Sequence, residues 1–228
     1  MTREEMQARV LYRDGMMIII DKPAGIAVHA GPGKGPNLEM YFEALRYGLA
    51  KNPGLAHRLD RDTSGCLILG RHHKALGRLG KMFAAGKIHK TYWAVVLGRL
   101  PQQAGRIDMP LSKLTPDFGW RMVPDPNGIS AITEYRVLAE GGGKSFVELK
   151  PLTGRTHQLR VHLSALGCPI VGDSIYGIPG AWPQETLLHL HARSIHVPIY
   201  MEKPPVDVEA PLPAHWRKVM AELGQEMS

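Results

Sequence analysis

Short apolar runs of strand length recur along the chain, and glycine, proline or charged residues interrupt them. Residues 16–20, 66–70 and 92–97 read MMIII, CLILG and YWAVVL. Apolar runs of this length, bounded by turn-forming residues, are typical of buried strands. The pattern therefore predicts three strands in the first half of the chain.

Further strands are predicted in the second half. SAITEYRVLA and SFVELKPL are separated by the glycine-rich segment EGGGK, which is typical of a hairpin turn. The segment LLHLHARSIHVPIY predicts one more strand, followed by a proline-rich stretch. Residues 101–127 are rich in proline, glycine and aspartate without clear periodicity, which indicates an extended surface excursion.

Helical periodicity appears between the strands. Leu76, Leu79, Met82 and Phe83 recur at helical spacing, and Gly86 is a stop signal. In TGRTHQLRVHLSALGCP the leucines again mark one helical face, so a strand enters a helix at this point. Two further helices are predicted, at 40–50 and 215–223.

Strands joined by hairpins, with a few helices between them, indicate an α+β fold built on a mainly antiparallel mixed sheet flanked by helices and loops. No composition shift divides the chain, so residues 1–228 are expected to form a single domain. No GxGxxG or GxxxxGK[ST] motif follows a strand, so neither dinucleotide binding nor a phosphate loop is supported.

Composition and charge indicate a globular protein with a basic net charge and no membrane-spanning segment. Hydrophobic residues make up 44% and charged residues 21%, as in ordinary globular proteins. No apolar run approaches membrane-spanning length and the start is charged, so a cytoplasmic protein is expected. Cys66 and Cys168 lack CxxC spacing and are expected in the core. The net charge of +7 favours a polyanionic partner without establishing one.

Two segments concentrate candidate chemistry. HRLDRDTSG, residues 57–65, has the composition of a turn, yet it places Asp60 between two arginines directly before an apolar strand. TGRTHQLR, residues 153–160, sets Arg155 where a strand enters a helix. A half-buried Asp60 needs a cationic partner to stay ionised, and Arg155 is the candidate.

These motifs, together with DKPAGIAVH, KTYWAVVLG and LLHLHARSI, resemble the RluA family of RNA pseudouridine synthases. The resemblance extends over residues 11–198 and keeps the order of the family's motifs. It implies a pseudouridine synthase catalytic domain without a separate N-terminal RNA-binding domain, acting on rRNA, tRNA or both. It implies no metal and no cofactor. A monomer without an obligate protein partner is expected.

The resemblance also implies roles for individual residues. The catalytic aspartate falls on Asp60, the active-site tyrosine on Tyr92, and the arginine paired with the aspartate on Arg155. Arg58 is implied to help push the target base out of its helix, where its planar guanidinium can stack. The residues expected to bind RNA are Lys22, His57, Arg58, Arg61, Lys90, His157 and Arg160. The basic residues Arg71, Lys74, Arg78, Lys87 and Lys90 are further candidates for phosphate contacts.

Two other functions remain open from the residues alone. Asp60 and Asp62, at alternate positions of a strand, would share one face like the carboxylate pair of a glycosidase, although only 7% of the chain is aromatic. A non-catalytic RNA-binding module would explain the charge but not a buried carboxylate. His189 and His191 share one side of a strand, but no third zinc ligand accompanies them, so structural histidines are expected.

Overall fold

A computed structural model describes residues 1–31, 35–114 and 121–225. The chain divides into two compact units. The first unit comprises Met1–Lys90 and Ala192–Pro211, and the second comprises Thr91–His191 and Leu212–Ser228. No helix in the described ranges is long and apolar enough to span a membrane.

The strands are, in chain order, β1 (Val10–Arg13), β2 (Met17–Lys22), β3 (Gly54–Leu55), β4 (Ser64–Gly70), β5 (His89–Leu97), β6 (Ala104–Asp108), β7 (Leu111–Lys113), β8 (Met122–Pro124), β9 (Ile132–Gly141), β10 (Lys144–Pro151), β11 (Leu190–Val197) and β12 (Val206–Glu209). The α-helices are α1 (Arg3–Gln7), α2 (His73–Ala84), α3 (Gln158–Ala165) and α4 (Arg217–Glu222). Two 3₁₀ helices span Leu38–Leu45 and Ala214–Trp216.

The sheet of the first unit runs in the order β1-β2-β4-β11, with β3 beside β4 and β12 beside β11. β2 pairs with β1 and β4 in antiparallel register, and β12 pairs with β11 in the same way. The β2 and β4 side chains are buried on both faces except for the half-buried Asp21, as the apolar runs MMIII and CLILG predict. The predicted strands at 16–20 and 66–70 are confirmed.

Helix α2 covers this sheet with its apolar side. Ala75, Leu79 and Met82 are buried, and Leu79 and Met82 join the core formed with β2, β4 and β11. The helix ends where Gly86 adopts φ +65 and the next amide donates back to Met82. The predicted helix and its glycine stop are therefore confirmed.

The second unit is also built on antiparallel strands, in the order β5-β10-β9-β6. Gly142 and Gly143 form the turn between β9 and β10 with φ of +54 and +72, values that favour glycine in a tight hairpin. The predicted hairpin is confirmed, and so are the helix after it (α3) and the α+β class with a mainly antiparallel sheet. The division into units does not test the single-domain prediction.

Several boundaries differ from the predictions. Residues 101–127 contain β6, β7 and β8, although residues 115–120 lie outside the described ranges. These strands were missed because β6 buries only Ile107 and the other two have three residues each. The predicted helix at 40–50 is instead a 3₁₀ helix that ends before Tyr47 and Gly48, which have φ of +43 and +85. The predicted helix at 215–223 begins as 3₁₀ and continues as α4.

The glycine that enters β4 yields a first prediction. Gly65 has φ +103, and a Cβ built there would lie 2.3 Å from the carbonyl oxygen of Ala192 on β11. We expect Gly65→Ala to lower the free energy of unfolding by more than about 3 kcal/mol, measured by urea denaturation. The control is Gly86→Ala, at φ +65 with open space around it, where the loss should be about 1 kcal/mol. Equal losses would show that the close approach to β11 is unimportant.

Candidate active site

The motif that contains Asp60 forms a turn at the entrance of β4. The Thr63 amide donates to the Asp60 carbonyl oxygen at 3.2 Å, which closes the turn. Leu59, Thr63 and Ser64 are buried, Asp60 is half-buried, and Arg61 is exposed. The segment is thus anchored by buried residues, whereas its two arginines are exposed and its two aspartates are half-buried.

The buried side chain of Lys22 binds the backbone of this turn. The Lys22 Nζ donates to the carbonyl oxygens of Pro23 at 2.9 Å, Arg61 at 2.8 Å and Thr63 at 2.8 Å. An ammonium group has three donors, so these bonds use all of them. The side chain is fully buried. The prediction that Lys22 binds RNA is therefore wrong, because its ammonium is enclosed beneath the turn.

Electrostatics couple Lys22 to the carboxylates around the turn. Burial lowers the pKa of Lys22 to about 7, while the charges of Asp62, Asp60 and Asp21 act in the opposite direction. Burial disfavours the charged form, and neighbouring negative charges favour it. The negative charge of Asp60 therefore helps to keep Lys22 protonated, and the protonated lysine in turn holds the turn that carries Asp60.

His57 links the turn to β4 as a neutral ring. The Ile68 amide donates to His57 Nε2 at 3.0 Å, so this nitrogen carries a lone pair. Burial, reinforced by the charge of Lys90, lowers the pKa of His57 to about 3. The ring also packs on Phe83 of α2, with 4.8 Å between ring centroids. His57 therefore has a structural role in this turn, and its RNA-binding role stays a prediction.

The remaining predicted cations of the first unit differ in exposure. Arg58 and Arg61 are exposed, and Arg61 Nε donates to the Gly25 carbonyl oxygen at 3.1 Å. Lys90, on β5, is half-buried, and burial lowers its pKa. Asp62 lies in the turn and forms an ion pair with Arg61 at 3.9 Å. The expectation that Asp60 and Asp62 alternate along a strand is wrong, because this segment is a turn rather than a strand.

In the second unit, Tyr92 lies on β5 and Arg155 lies in the turn before α3. Tyr92 is 8% exposed and pairs in register with Leu149 of β10. Arg155 is exposed, and its Nε donates to the Ser130 carbonyl oxygen at 2.9 Å. Because that bond fixes one edge of the guanidinium group, Arg155 leaves its turn in a defined direction.

Gln158, which the sequence reasoning missed, organises the Arg155 turn. Its Oε1 accepts from the Arg155 amide at 3.0 Å and from the Thr153 hydroxyl at 2.7 Å. Its Nε2 donates to the Ile132 carbonyl oxygen and to the Thr133 hydroxyl of β9. No sequence pattern separates a buried glutamine of this kind from an exposed one, so only the fold identifies it.

Arg160 is part of the core rather than an RNA contact. It is 2% exposed and donates to both carboxylate oxygens of Asp173, at 2.8 Å and 2.7 Å. Burial would raise the pKa of Asp173, but the hydrogen bonds and charge of Arg160, with the amides of Tyr176 and Ile175, lower it. The prediction that Arg160 binds RNA is wrong, because a buried carboxylate engages its guanidinium.

His157, His189 and His191 of the second unit are hydrogen-bonded or buried within the protein. His157 adopts φ +52, and its Nδ1 lies 2.8 Å from the Tyr176 hydroxyl. His189 and His191 are buried, and burial lowers the pKa of His189 to about 4. Among the described residues, no three His, Cys, Asp or Glu side chains are grouped as metal ligands would be.

Residues 16–165, more than half of the chain, match the family model described as RNA pseudouridylate synthase. The chain belongs to the RNA pseudouridylate synthase family. Members of this family are isomerases that convert uridine to pseudouridine in RNA, and this synthase shares that activity. Asp60, Tyr92 and Arg155 all lie in the matched residues.

Individual relatives of this synthase agree with the family match. An RNA pseudouridine synthase of Zymomonas mobilis is 44% identical over 95% of this chain and 97% of its own length. Ribosomal large subunit pseudouridine synthase D of Xanthomonas campestris is 32% identical over 98% of this chain and 71% of its own. The solved structure of human RNA pseudouridylate synthase domain containing 4 has a TM-score of 0.81 at 29% identity, and covers 99% of this chain and 96% of its own.

The three hydrogen bonds from Lys22 to backbone carbonyl groups lead to a second prediction. Lys22→Met removes the donor shared by three carbonyl groups and should destabilise the synthase by about 2–4 kcal/mol. It should also lower the rate of isomerisation, because the turn that carries Asp60 loses its support, while RNA affinity changes little. The control is Lys51→Met at an exposed lysine. A loss of RNA affinity without a loss of stability would contradict the buried role.

The neutral, half-buried ring of His57 predicts a pH dependence of stability. The pKa of His57 falls from 6.5 to about 3 on folding, so the unfolded chain binds more protons between these values. The contribution of the neutral His57 to the free energy of unfolding is fully present above pH 6.5. It declines as the pH falls, by up to about 1.4 kcal/mol per pH unit. His57→Gln, whose side-chain oxygen can still accept from Ile68, should flatten urea-denaturation midpoints plotted between pH 5 and pH 7. An unchanged slope would argue against a neutral ring at His57.

Proposed function

We propose that Asp60 is the catalytic carboxylate of this synthase, acting with Tyr92 and Arg155 on a uridine flipped out of structured RNA. The observation that carries the proposal is the support of the Asp60 turn. A buried ammonium group with three bonds to backbone carbonyls underlies a half-exposed carboxylate. Catalysis requires reacting groups held in place, and such a turn provides this for Asp60.

The reaction places few demands on the protein beyond positioned groups. The bond from ribose C1′ to uracil N1 breaks, the base rotates, and a bond forms from C1′ to C5. C5 loses its proton and N1 acquires one, so no oxidant or reductant is consumed. Asp60 attacks the sugar or the base, or assists deprotonation of the sugar, and each of these roles requires an ionised carboxylate.

Tyr92 and Arg155 supply the other functions we assign. The ring of Tyr92 stacks on the flipped uracil, and its hydroxyl serves as an acid or base near the sugar. Arg155 pairs with the Asp60 carboxylate and keeps it ionised when the RNA excludes water. The Gln158 network supports this assignment, because it holds the backbone from which Arg155 projects.

Four further side chains of the same motifs, two exposed and two half-buried, contact the RNA. Arg58 takes the space that the target base vacates, where its planar guanidinium stacks on the neighbouring bases. Arg61, Lys90 and His157 contact the flipped nucleotide or its phosphates. The exposure of Arg58 and Arg61 supports these roles, whereas the burial of Lys22 and Arg160 removes those two residues from the set.

The substrate we propose is rRNA, tRNA or both. Two relatives carry the names ribosomal large subunit pseudouridine synthase D and C, and this chain spans 71% of the length of each. We further propose that residues 1–228 act as one catalytic domain, as a monomer in the cytoplasm, without metal or cofactor. The turn geometry of Asp60 and Asp62 disfavours the carboxylate-pair hydrolase, which needs two carboxylates flanking one bond.

Pseudouridine mapping of total rRNA and tRNA tests the proposal. Cells without the gene should lose one or a few pseudouridines. The wild-type gene should restore them, and Asp60→Asn should not, although the variant protein still binds RNA. Asp62→Asn, which changes the neighbouring carboxylate in the same way, should retain activity within about tenfold. Restoration by Asp60→Asn would exclude Asp60 as the catalytic group and favour a binding role.

A further inference from the structure

One long segment of the sequence carries basic residues and no acidic ones. Residues 63–107 contain no aspartate or glutamate, although lysine or arginine occupies eight positions. The densest part of this segment is α2 and the turn after it. Opposite charges usually intersperse on a protein surface, so a single-sign stretch of this length creates a local positive field.

Helix α2 arranges its cations along one exposed stripe. Lys74, Arg78 and Lys81 are exposed and lie four and then three residues apart, which places them on one side of the helix over about 10 Å. Lys87, also exposed, follows the end of the helix. We call these four residues the basic ridge. Within the described residues, no ion pair joins any of them to an acidic group.

The composition of this face lowers the stability of the helix. Like charges at i, i+4 and i, i+3 repel each other, and Lys74 lies in the first turn, where the helix dipole disfavours a cation. Gly77 and Gly80 are poor helix formers, yet a Cβ at either would meet no atom within 4 Å. Packing within the chain therefore does not explain these residues, whereas a polyanion lying along the helix would.

The ridge fits a phosphate backbone better than a membrane or a protein. A membrane-surface helix needs a free apolar face, but Leu79 and Met82 of α2 are buried in the core. Protein interfaces depend on buried aromatic or aliphatic anchors. The exposed positions between these cations are instead glycine, so a chain of phosphates can approach the helix closely.

Helix α2 is also fixed to the segment that carries Asp60. Phe83 in its last turn packs on His57, three residues before Asp60, and the charge of Lys90 acts on the same histidine. The helix that carries the ridge is therefore anchored to the segment before Asp60 by Phe83, which lies on a different side of α2 from the cations. Most protein contacts to nucleic acids go to phosphate and sugar groups and set the position of the target.

We propose that the basic ridge of α2 binds the phosphate backbone of the substrate RNA outside the target nucleotide. This inference rests on the proposed function for the identity of the RNA, but not for the binding itself. The ridge supplies affinity and position without reading sequence, so its loss should weaken binding in a strongly salt-dependent manner.

The test compares two triple variants of equal charge change, both made in the full chain with Asp60→Asn so that the RNA is not converted. The first replaces Lys74, Arg78 and Lys81 with Gln. The control replaces Arg106, Arg136 and Lys150 with Gln, which are exposed but paired with Asp108 or Glu148. Binding to unmodified large-subunit ribosomal RNA, transcribed in vitro, is measured at several KCl concentrations, and thermal unfolding checks folding.

We expect the ridge variant to bind roughly 100-fold more weakly at moderate salt, with a log–log salt slope reduced by about 2 to 3. The control should stay within about threefold of the parent. The swap Lys74→Arg/Arg78→Lys/Lys81→Arg keeps every charge and should keep the affinity and the slope. If the glutamine variant fails to fold, the change in salt slope is read from the single variants Lys74→Gln, Arg78→Gln and Lys81→Gln instead.

Equal losses of RNA affinity in the ridge variant and the control would overturn the proposal, because net charge alone would then explain them. Unchanged RNA binding in both variants would also overturn it. Retention of RNA binding together with loss of sedimentation on phosphatidylserine vesicles would assign the ridge to anionic membranes instead. The proposed function is judged separately, by pseudouridine formation with Asp60 intact. A protein that forms no pseudouridine but loses RNA affinity through the ridge leaves the binding surface established and the catalytic assignment wrong.

Discussion

The ammonium group of Lys22 and its three carbonyl acceptors are the interaction on which the site depends. Burial of a lysine is costly unless its charge is fully hydrogen-bonded. Here the acceptors belong to Pro23 and to the turn residues Arg61 and Thr63, so the cost of burial is offset only when the turn is folded. The lysine therefore ties the formation of the turn to the formation of β2.

Some charged and titratable side chains of this protein stabilise its fold, and others remain available to bind a polyanion. Arg160 and Lys22 are buried and His57 is half-buried, and each is matched by acceptors or donors within its own unit. Arg58, Arg61 and the basic ridge are exposed. Both groups carry the same residue types, but desolvation makes the first group structural and leaves the second available to a polyanion.

Sequence patterns predicted the strongly apolar elements well. β2, β4, the helix α2 with its stop at Gly86, and the glycine hairpin between β9 and β10 are all as predicted, because burial, helical periodicity and turn chemistry each leave a local signal. The edge strand β6 and the short pair β7 and β8 were missed, because they bury few side chains. The 3₁₀ helix at Leu38–Leu45 was predicted as an α-helix of different bounds, since the backbone of Tyr47 and Gly48 ends it.

The sequence by itself determined the fold class, the family, and the motifs in which reactive residues lie. It could not determine which cations of those motifs are inside the protein. Lys22 and Arg160 look like exposed cations in a local reading. Two of the three acceptors of Lys22 nevertheless lie 39 and 41 residues away along the chain, and the carboxylate that binds Arg160 lies 13 residues away. Burial and long-range hydrogen bonding are properties of the packed chain. Only the tertiary structure therefore decided which charges support the site and which remain for the RNA.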